Sequence, residues 1–201
     1  MLVLAVANFI GFDDAFYRQE FAELKVQQNL PKATSLHEQV INFLKGRSSQ
    51  LPNEFNEREM QHLADVRDII RFSTLALYAF VIVFALLLIH SLFMLKINNK
   101  IMNFVGIILI FGGLLTVALS ITLFLFIKYD FSISFESFHL LLFEKGTYAF
   151  DPAKEIIVNL YPEQLFIDLG LRISKWIISA SAIIISAGLL LLFTSKKNKN
   201  L

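Results

Sequence analysis

Cysteine is absent from the 201-residue chain. That excludes a disulfide framework and a thiol nucleophile, and leaves nothing for oxidants to cross-link. An excess of one charge sign is missing too: 18 lysines and arginines stand against 17 acids, a formal net charge of +1. There is accordingly no electrostatic case for a nucleic-acid partner or for a general anionic surface. Helix breakers are scarce, with 8 glycines and 4 prolines. None occurs from Glu54 until Gly106, so one helix can run unbroken through that stretch. The chain has no internal repeat and no low-complexity segment.

What the chain does have is apolar length. Hydrophobic residues make up 56% of it and mean hydropathy is +0.61, above the range of soluble domains. Residues 73–95 carry no charge apart from a protonatable His90, and residues 101–127 and 176–195 carry none. Each run meets or exceeds the roughly 18–20 apolar residues that cross a bilayer as a helix. Residues 2–12 are apolar but short, and no basic residue opens them. They read as a shortened first membrane helix, or one whose start lies upstream, and fit a cleaved signal peptide poorly.

The sequence therefore predicts an all-α integral membrane protein, a single multi-pass domain in the cell membrane. Four transmembrane helices are expected at 2–12, 73–95, 101–127 and 173–195, with outer segments at 13–72 and 128–172 forming a small outer domain. The link 96–100 and the tail from Lys196 to Lys199 carry lysines and no acid, which assigns both to the cytoplasm. Both outer segments then fall together on the extracytoplasmic face.

Local signals fill in those segments. Ser35 is a cap candidate for a helix to Leu44, closed by Gly46, and "GRSSQLPNEFN" after it reads as a loop. The alternation Phe131-Ser132-Ile133-Ser134-Phe135-Glu136 predicts a short strand. Asp151-Pro152 opens a short helix with Asp151 as its cap, Pro162 restarts another, and Pro162 and Asp168 set how the chain re-enters the bilayer.

The stretch "EREMQHLADVRDII", residues 57–70, is unusual in where its polar groups lie. On a helix Leu63, Val66, Ile69 and Ile70 share one arc, Glu57, Gln61, Asp65 and Asp68 another, and Glu59 and His62 belong to the apolar arc. Polar groups placed there line an exposed edge or meet a hydrogen-bonding partner. A straight helix would hold His62 ~15 Å above the start of the apolar run at Ser73, so chemistry on lipid there needs a bend, a thinned bilayer or an outer domain that lifts the substrate.

Two blocks carry a family resemblance. The spacing E-x-x-H-x-x-D-V at Glu59, His62, Asp65 and Val66, and "FHLLLFEKGTYAFDPAKEIIVNLYPEQLFID" at residues 138–168, resemble the bacterial lipoprotein intramolecular transacylases. "FYR" at residues 16–18, just after the first apolar segment, fits the same order, and the resemblance covers most of the chain. It implies four membrane helices, two outer segments, and transfer of an acyl chain from the diacylglyceryl group of a lipoprotein's first cysteine to that cysteine's own amine. The product is a lyso-form lipoprotein; the implied partners are a lipid-modified lipoprotein N-terminus and membrane lipid, without a cofactor. His62 and His139 are implied as the two essential histidines. The chain departs from the family where Leu141 and Leu142 stand near Phe143 in place of a usual aromatic pair, where Tyr148 replaces a common tryptophan, and in its short first helix.

The chemistry fits two histidines independently of the family. An α-amine attacking an ester loses a proton and the leaving glyceryl oxygen gains one; imidazole, with a reference pKa near 6.5 against roughly 8 for an α-amine, serves in both roles. Nucleophile and ester share one molecule, so no covalent intermediate is needed, in keeping with the lack of cysteine and of a G-x-S-x-G elbow. Asp65 or Glu59 is placed to fix the His62 tautomer, Arg67 and Arg18 are candidates for stabilising the oxyanion, and Tyr148 and Asp151 complete the supporting set. Two rival readings remain. A metal-dependent hydrolase would use the Glu59-x-x-His62 pair with His139 or Asp151 as third ligand. A non-catalytic protein would use the outer face to bind lipid or protein. "FESFH", residues 135–139, also mimics the F-x-x-x-H of intramembrane prenyl-peptide proteases, but lacks their adjacent glutamate pair. No role is expected of His37, and His90 is expected to pack neutral or reach the interface.

Overall fold

The computed structural model describes residues 1–94, 99–144 and 146–197. Part of the lysine-bearing link at 96–100 and the end of the tail, on which the sequence-based orientation rests, lie outside the described residues. The helices are α1 Leu2–Ile10, α2 Asp14–Glu23, α3 Val26–Asn29, α4 Ala33–Leu44, α5 Glu57–Met94, α6 Asn99–Tyr129, α7 Phe131–Leu142, α8 Ile157–Leu160 and α9 Glu163–Lys197. Among the described residues there is no strand. The all-α expectation holds, and α5, α6 and α9 are long and apolar enough to cross a bilayer. α1, with 9 residues, packs against α9 and α5, where its Asn8 side-chain oxygen accepts a hydrogen bond from Thr74 at 3.0 Å.

Three local expectations need correction. Residues 131–136 are helical, not a strand: the Asp130 side chain caps α7 by accepting from the Ile133 N–H at 3.0 Å. Six alternating residues satisfy either period, and the cap decides. It also puts Phe131, Phe135 and His139 at i, i+4 spacing, with ring centroids 5.5 and 3.9 Å apart. α4 starts at Ala33, so Ser35 is inside the helix rather than its cap, and its hydroxyl takes the Gln39 amide. At its other end Gly46 does close it, at φ 71°, with the Arg47 N–H bonded to the Asn42 carbonyl at 2.8 Å. Residues 152–154 form one turn rather than a helix. Asp151 caps that turn as expected, accepting from the Ala153 N–H at 2.9 Å, but the Glu155 carboxylate folds back onto the Asp151 N–H and ends it.

Two different forces hold the two halves. The polar segments between the membrane helices share a conventional buried core in which Phe16, Phe21, Leu36, Val40, Phe55, Leu160 and Leu165 are almost wholly enclosed. Each such side chain contributes roughly 1.5–3 kcal/mol by leaving water. Between membrane helices water exclusion offers nothing, and close packing replaces it. α6 and α9 run antiparallel with small residues at seven-residue intervals: Gly106, Gly113 and Ser120 on one, Gly188, Ser181 and Ser174 on the other. A Cβ on Gly106 would lie 2.8 Å from the Gly188 carbonyl oxygen, and one on Gly188 would lie 2.8 Å from that of Gly106. The Ser120 hydroxyl donates to the Ser174 carbonyl at 3.3 Å. Asp13 caps α2 and pairs with Arg172 of α9 at 2.7 Å, tying the α1–α2 corner to the same helix.

Gly106→Ala is expected to destabilise the protein in detergent by about 1–3 kcal/mol, the usual cost of overpacking. Gly112→Ala, whose methyl would meet nothing within 4 Å, should leave stability unchanged or slightly raised. Equal losses in thermal unfolding for both would rule out close backbone approach as the bond between α6 and α9.

Candidate functional site

The first turn of α5 organises the site. Asn56 and Glu59 form a reciprocal cap: the Asn56 side-chain oxygen accepts from the Glu59 N–H at 3.0 Å, and Glu59 Oε2 accepts from the Asn56 N–H at 2.7 Å. The other carboxylate oxygen, Oε1, accepts from the Ile157 N–H of α8 at 2.7 Å. With 1% exposure, this carboxylate is enclosed and both of its oxygens are satisfied. Of the two expected settings, an exposed edge or a partner, the second holds: it joins the two polar segments and is engaged with backbone amides. It therefore neither fixes the His62 tautomer nor remains free to ligate a metal beside it.

Arg58, which sequence reasoning passed over, holds the rest of the second segment. Its guanidinium pairs with Glu155 at 3.0 Å, donates to the carbonyls of Gly146 and Ala149 at 3.3 and 2.9 Å, and lies 5.3 Å from the Phe150 ring centroid. The signal was available: Arg58 precedes His62 by four residues and so shares its face.

Those clamps bring His62 of α5 against His139 of α7, their rings near parallel with centroids 6.1 Å apart. Phe143 lies against both, at 4.8 and 5.3 Å. Phe150 stands edge-on to His62 at 5.3 Å, and Tyr148 covers His139 at 4.7 Å. Each histidine is 8% exposed. The aromatic enclosure keeps water off and disfavours the charged rings. Burial, helped by the neighbouring His139 and opposed by Asp65, lowers the His62 pKa to about 4. Burial also lowers that of His139, against the opposing effect of its hydrogen bond to Phe135.

The tautomer of His139 follows from its partner. Its Nδ1 lies 2.7 Å from the Phe135 carbonyl oxygen, and a carbonyl only accepts, so Nδ1 carries the proton and Nε2 holds the lone pair. Nδ1 of His62 is buried and has no partner among the described residues.

The remaining candidates scatter. Asp65 accepts from Gln61 at 2.9 Å and acts on His62 only through its charge. Arg67 lies over the Phe43 ring at 4.3 Å, and Arg18 is exposed on α2; among the described residues neither is hydrogen-bonded to a histidine. Asp151 is exposed, engaged by its own turn and by Lys154 at 3.4 Å. Among the described residues no three His, Asp or Glu side chains gather as a ligand set. His90 is exposed on the apolar part of α5.

His37, from which nothing was expected, belongs to the outer core. Its ring stacks on Tyr17 at 4.3 Å and its Nδ1 lies 3.0 Å from the Tyr161 hydroxyl. Burial, partly offset by Asp14 and reinforced by Lys45, lowers its pKa to about 4. His37 and His62 are thus neutral when folded but protonate near 6.5 when unfolded. Below that pH the unfolded chain binds more protons, so the stabilisation they give is complete above pH 6.5 and is lost as pH falls toward about 4. Melting temperature measured against pH should fall across that window, and less steeply for His37→Asn; an unchanged slope would show that His37 is already protonated in the folded protein.

A model of the family described as lipoprotein intramolecular transacylase Lit matches residues 1–166. Among solved structures, the chain is similar to the membrane integral lipoprotein intramolecular transacylase Lit from Bacillus cereus, with 22% identity and a TM-score of 0.84 over 98% of this chain and 91% of that one. A variant of that protein with a histidine replaced by arginine gives 23% identity and a TM-score of 0.76, over 98% and 88% of the two chains. One with a histidine replaced by alanine gives 22% and 0.77, over 98% and 89%. Among curated proteins none matches the chain.

Proposed function

The chain belongs to the lipoprotein intramolecular transacylases, and we propose that His62 and His139 perform its acyl transfer, each supplied by a different outer segment. The enzyme is a membrane acyltransferase. The observation that carries the assignment of the pair is the enclosed apposition of the two neutral imidazoles, 6.1 Å apart, with the lone pair of one fixed at Nε2 by a carbonyl on the opposite side of the ring.

The reaction is an ester-to-amide exchange. The α-amine of the lipidated cysteine attacks an ester carbonyl of its own diacylglyceryl group; an N–C bond forms, a C–O bond breaks, and one proton passes from nitrogen to the glyceryl oxygen. His139 takes the amine proton at Nε2 and passes it to the lone pair of His62, whose imidazolium then delivers a proton to the departing oxygen, leaving both rings neutral. No covalent intermediate and no outside reagent enters the balance. Because amine and ester belong to one molecule, orientation is the larger part of the task, worth up to ~7–11 kcal/mol in well-aligned intramolecular reactions. Arg58 and Glu59 serve that task indirectly, fixing the loop that carries Tyr148 and Phe150 around the histidines. Leu141 and Phe138, 80% and 55% exposed on α7, offer the substrate's acyl chains an apolar approach just beyond the end of α6.

The test is mass spectrometry of a reporter lipoprotein's N-terminal peptide from a host lacking its own N-acylating enzyme. Wild type should give a monoacylglyceryl, N-acylated cysteine. His62→Ala and His139→Ala, expressed to equal levels, should lose ~10²-fold or more of the conversion, the usual weight of a general acid or base. Full conversion by either variant would remove that histidine from the mechanism.

We place the site on the extracytoplasmic face. α5 and α9 run from the outer domain toward the link and tail ends, where the sequence has lysines and no acids. The cysteine-free chain makes the check simple: Lys154→Cys, at a side chain 80% exposed, should react in intact cells with a membrane-impermeant maleimide. Labelling only after lysis would invert the topology.

A further inference from the structure

A second feature lies on the other side of α5. There, where the helix enters its apolar run, a groove of about 1000 Å³ opens between α5, the end of α4 with its following loop, and the α1–α2 corner. Arg67 and Arg71 line it from α5, about 140° and 180° around the helix from His62 at ~100° per residue. It is therefore separate from the histidine site. Lys45 and Arg47 line it from the loop, and Asp68 is its acid.

Four cations against one acid give the groove an excess of three positive charges, 4 − 1 = 3. Among the described residues none of these five side chains takes part in an ion pair. Lys45 and Arg67 rest over the rings of Phe12 and Phe43, 4.9 and 4.3 Å from their centroids. Arg47 and Arg71 are exposed. Unneutralised like charges converging from two elements repel one another, and a bound anion relieves that repulsion.

The apolar surroundings identify the kind of anion. Phe12, Ile70 and Leu75 also line the groove, and below it Phe72, Leu75 and Tyr78 are 74%, 57% and 60% exposed along α5. That surface faces acyl chains where the helix enters the bilayer. A ligand filling both parts has a negative headgroup and hydrocarbon tails. We propose that the groove binds the headgroup of an anionic phospholipid of the adjoining leaflet, whose phosphate bridges the loop cations to Arg71 while its chains run down α5 past Leu75. A zwitterionic headgroup fits less well because its ammonium would face the same surplus of positive charge. The bound lipid would brace the α4 end of the outer domain against the membrane helix.

The experiment titrates phosphatidylglycerol into the full-length protein held in phosphatidylcholine nanodiscs and follows the thermal unfolding midpoint, which rises when a ligand binds the folded state. Wild type should show a saturable rise. Arg47→Gln/Arg71→Gln should need roughly tenfold more phosphatidylglycerol for half of that rise, each juxtamembrane cation contributing measurably to anionic-lipid attraction. Lys128→Gln/Lys175→Gln, two exposed cations outside the groove, should titrate like wild type. The same rise in all three proteins, or none in wild type, overturns the site. A rise reproduced by inorganic phosphate at the same concentration assigns the groove to a free anion and overturns the lipid. Arg71→Glu supplies a second variant: its midpoint in pure phosphatidylcholine reports folding, and its response to phosphatidylglycerol should be weaker still.

Discussion

The outer domain depends on one enclosed carboxylate. Burying an ionised glutamate is costly unless its oxygens find donors, and Glu59 has one donor from its own helix start and one from α8. Removing either segment would leave a charged group in an apolar setting without its hydrogen bonds. The two outer segments, 98 residues apart at this contact, are thereby obliged to fold on each other. His62 follows Glu59 by three residues on the same helix, so the device that joins the segments also aims the imidazole at its counterpart.

The membrane helices are long and apolar, as their sequence requires, but α6 and α9 associate through glycine and serine rather than through bulk. Their seven-residue spacing keeps one seam facing the partner over successive turns. Polar anchors, Asp13 with Arg172 and Asn8 with Thr74, attach α1 and the corner after it to α9 and α5.

Much of this was legible in the sequence because it rests on long or local signals. The membrane runs are set by apolar length, and the unbroken α5 by the want of glycine and proline. Helical period put Glu59 and His62 on the apolar arc, leaving an exposed edge or a partner open, and both side chains are buried. What escaped was set by contacts remote in sequence or by competition between local signals. Residues 131–136 fit period 2 as well as period 3.6 until the Asp130 cap decided between them. Arg58 drew no reading because its partners, Gly146, Ala149 and Glu155, lie about ninety residues away. His37 gave no local sign that Tyr17 and Tyr161 would enclose it.

The surroundings of the two histidines suit the proposed reaction in a way that a more polar site would not. An aromatic enclosure keeps both rings neutral, so a lone pair and an N–H are available together near neutral pH. The same exclusion of water protects the ester, since water competing with the amine would release a fatty acid instead of moving it. A base of lowered pKa is a weaker proton acceptor, yet the nitrogen it must deprotonate becomes strongly acidic once the N–C bond has begun to form. The demand on the base is then modest, and the demand on geometry is high. Rigid clamps at Glu59 and Arg58, and a ring held by a backbone carbonyl, meet the second demand, which is why the site can dispense with a covalent nucleophile.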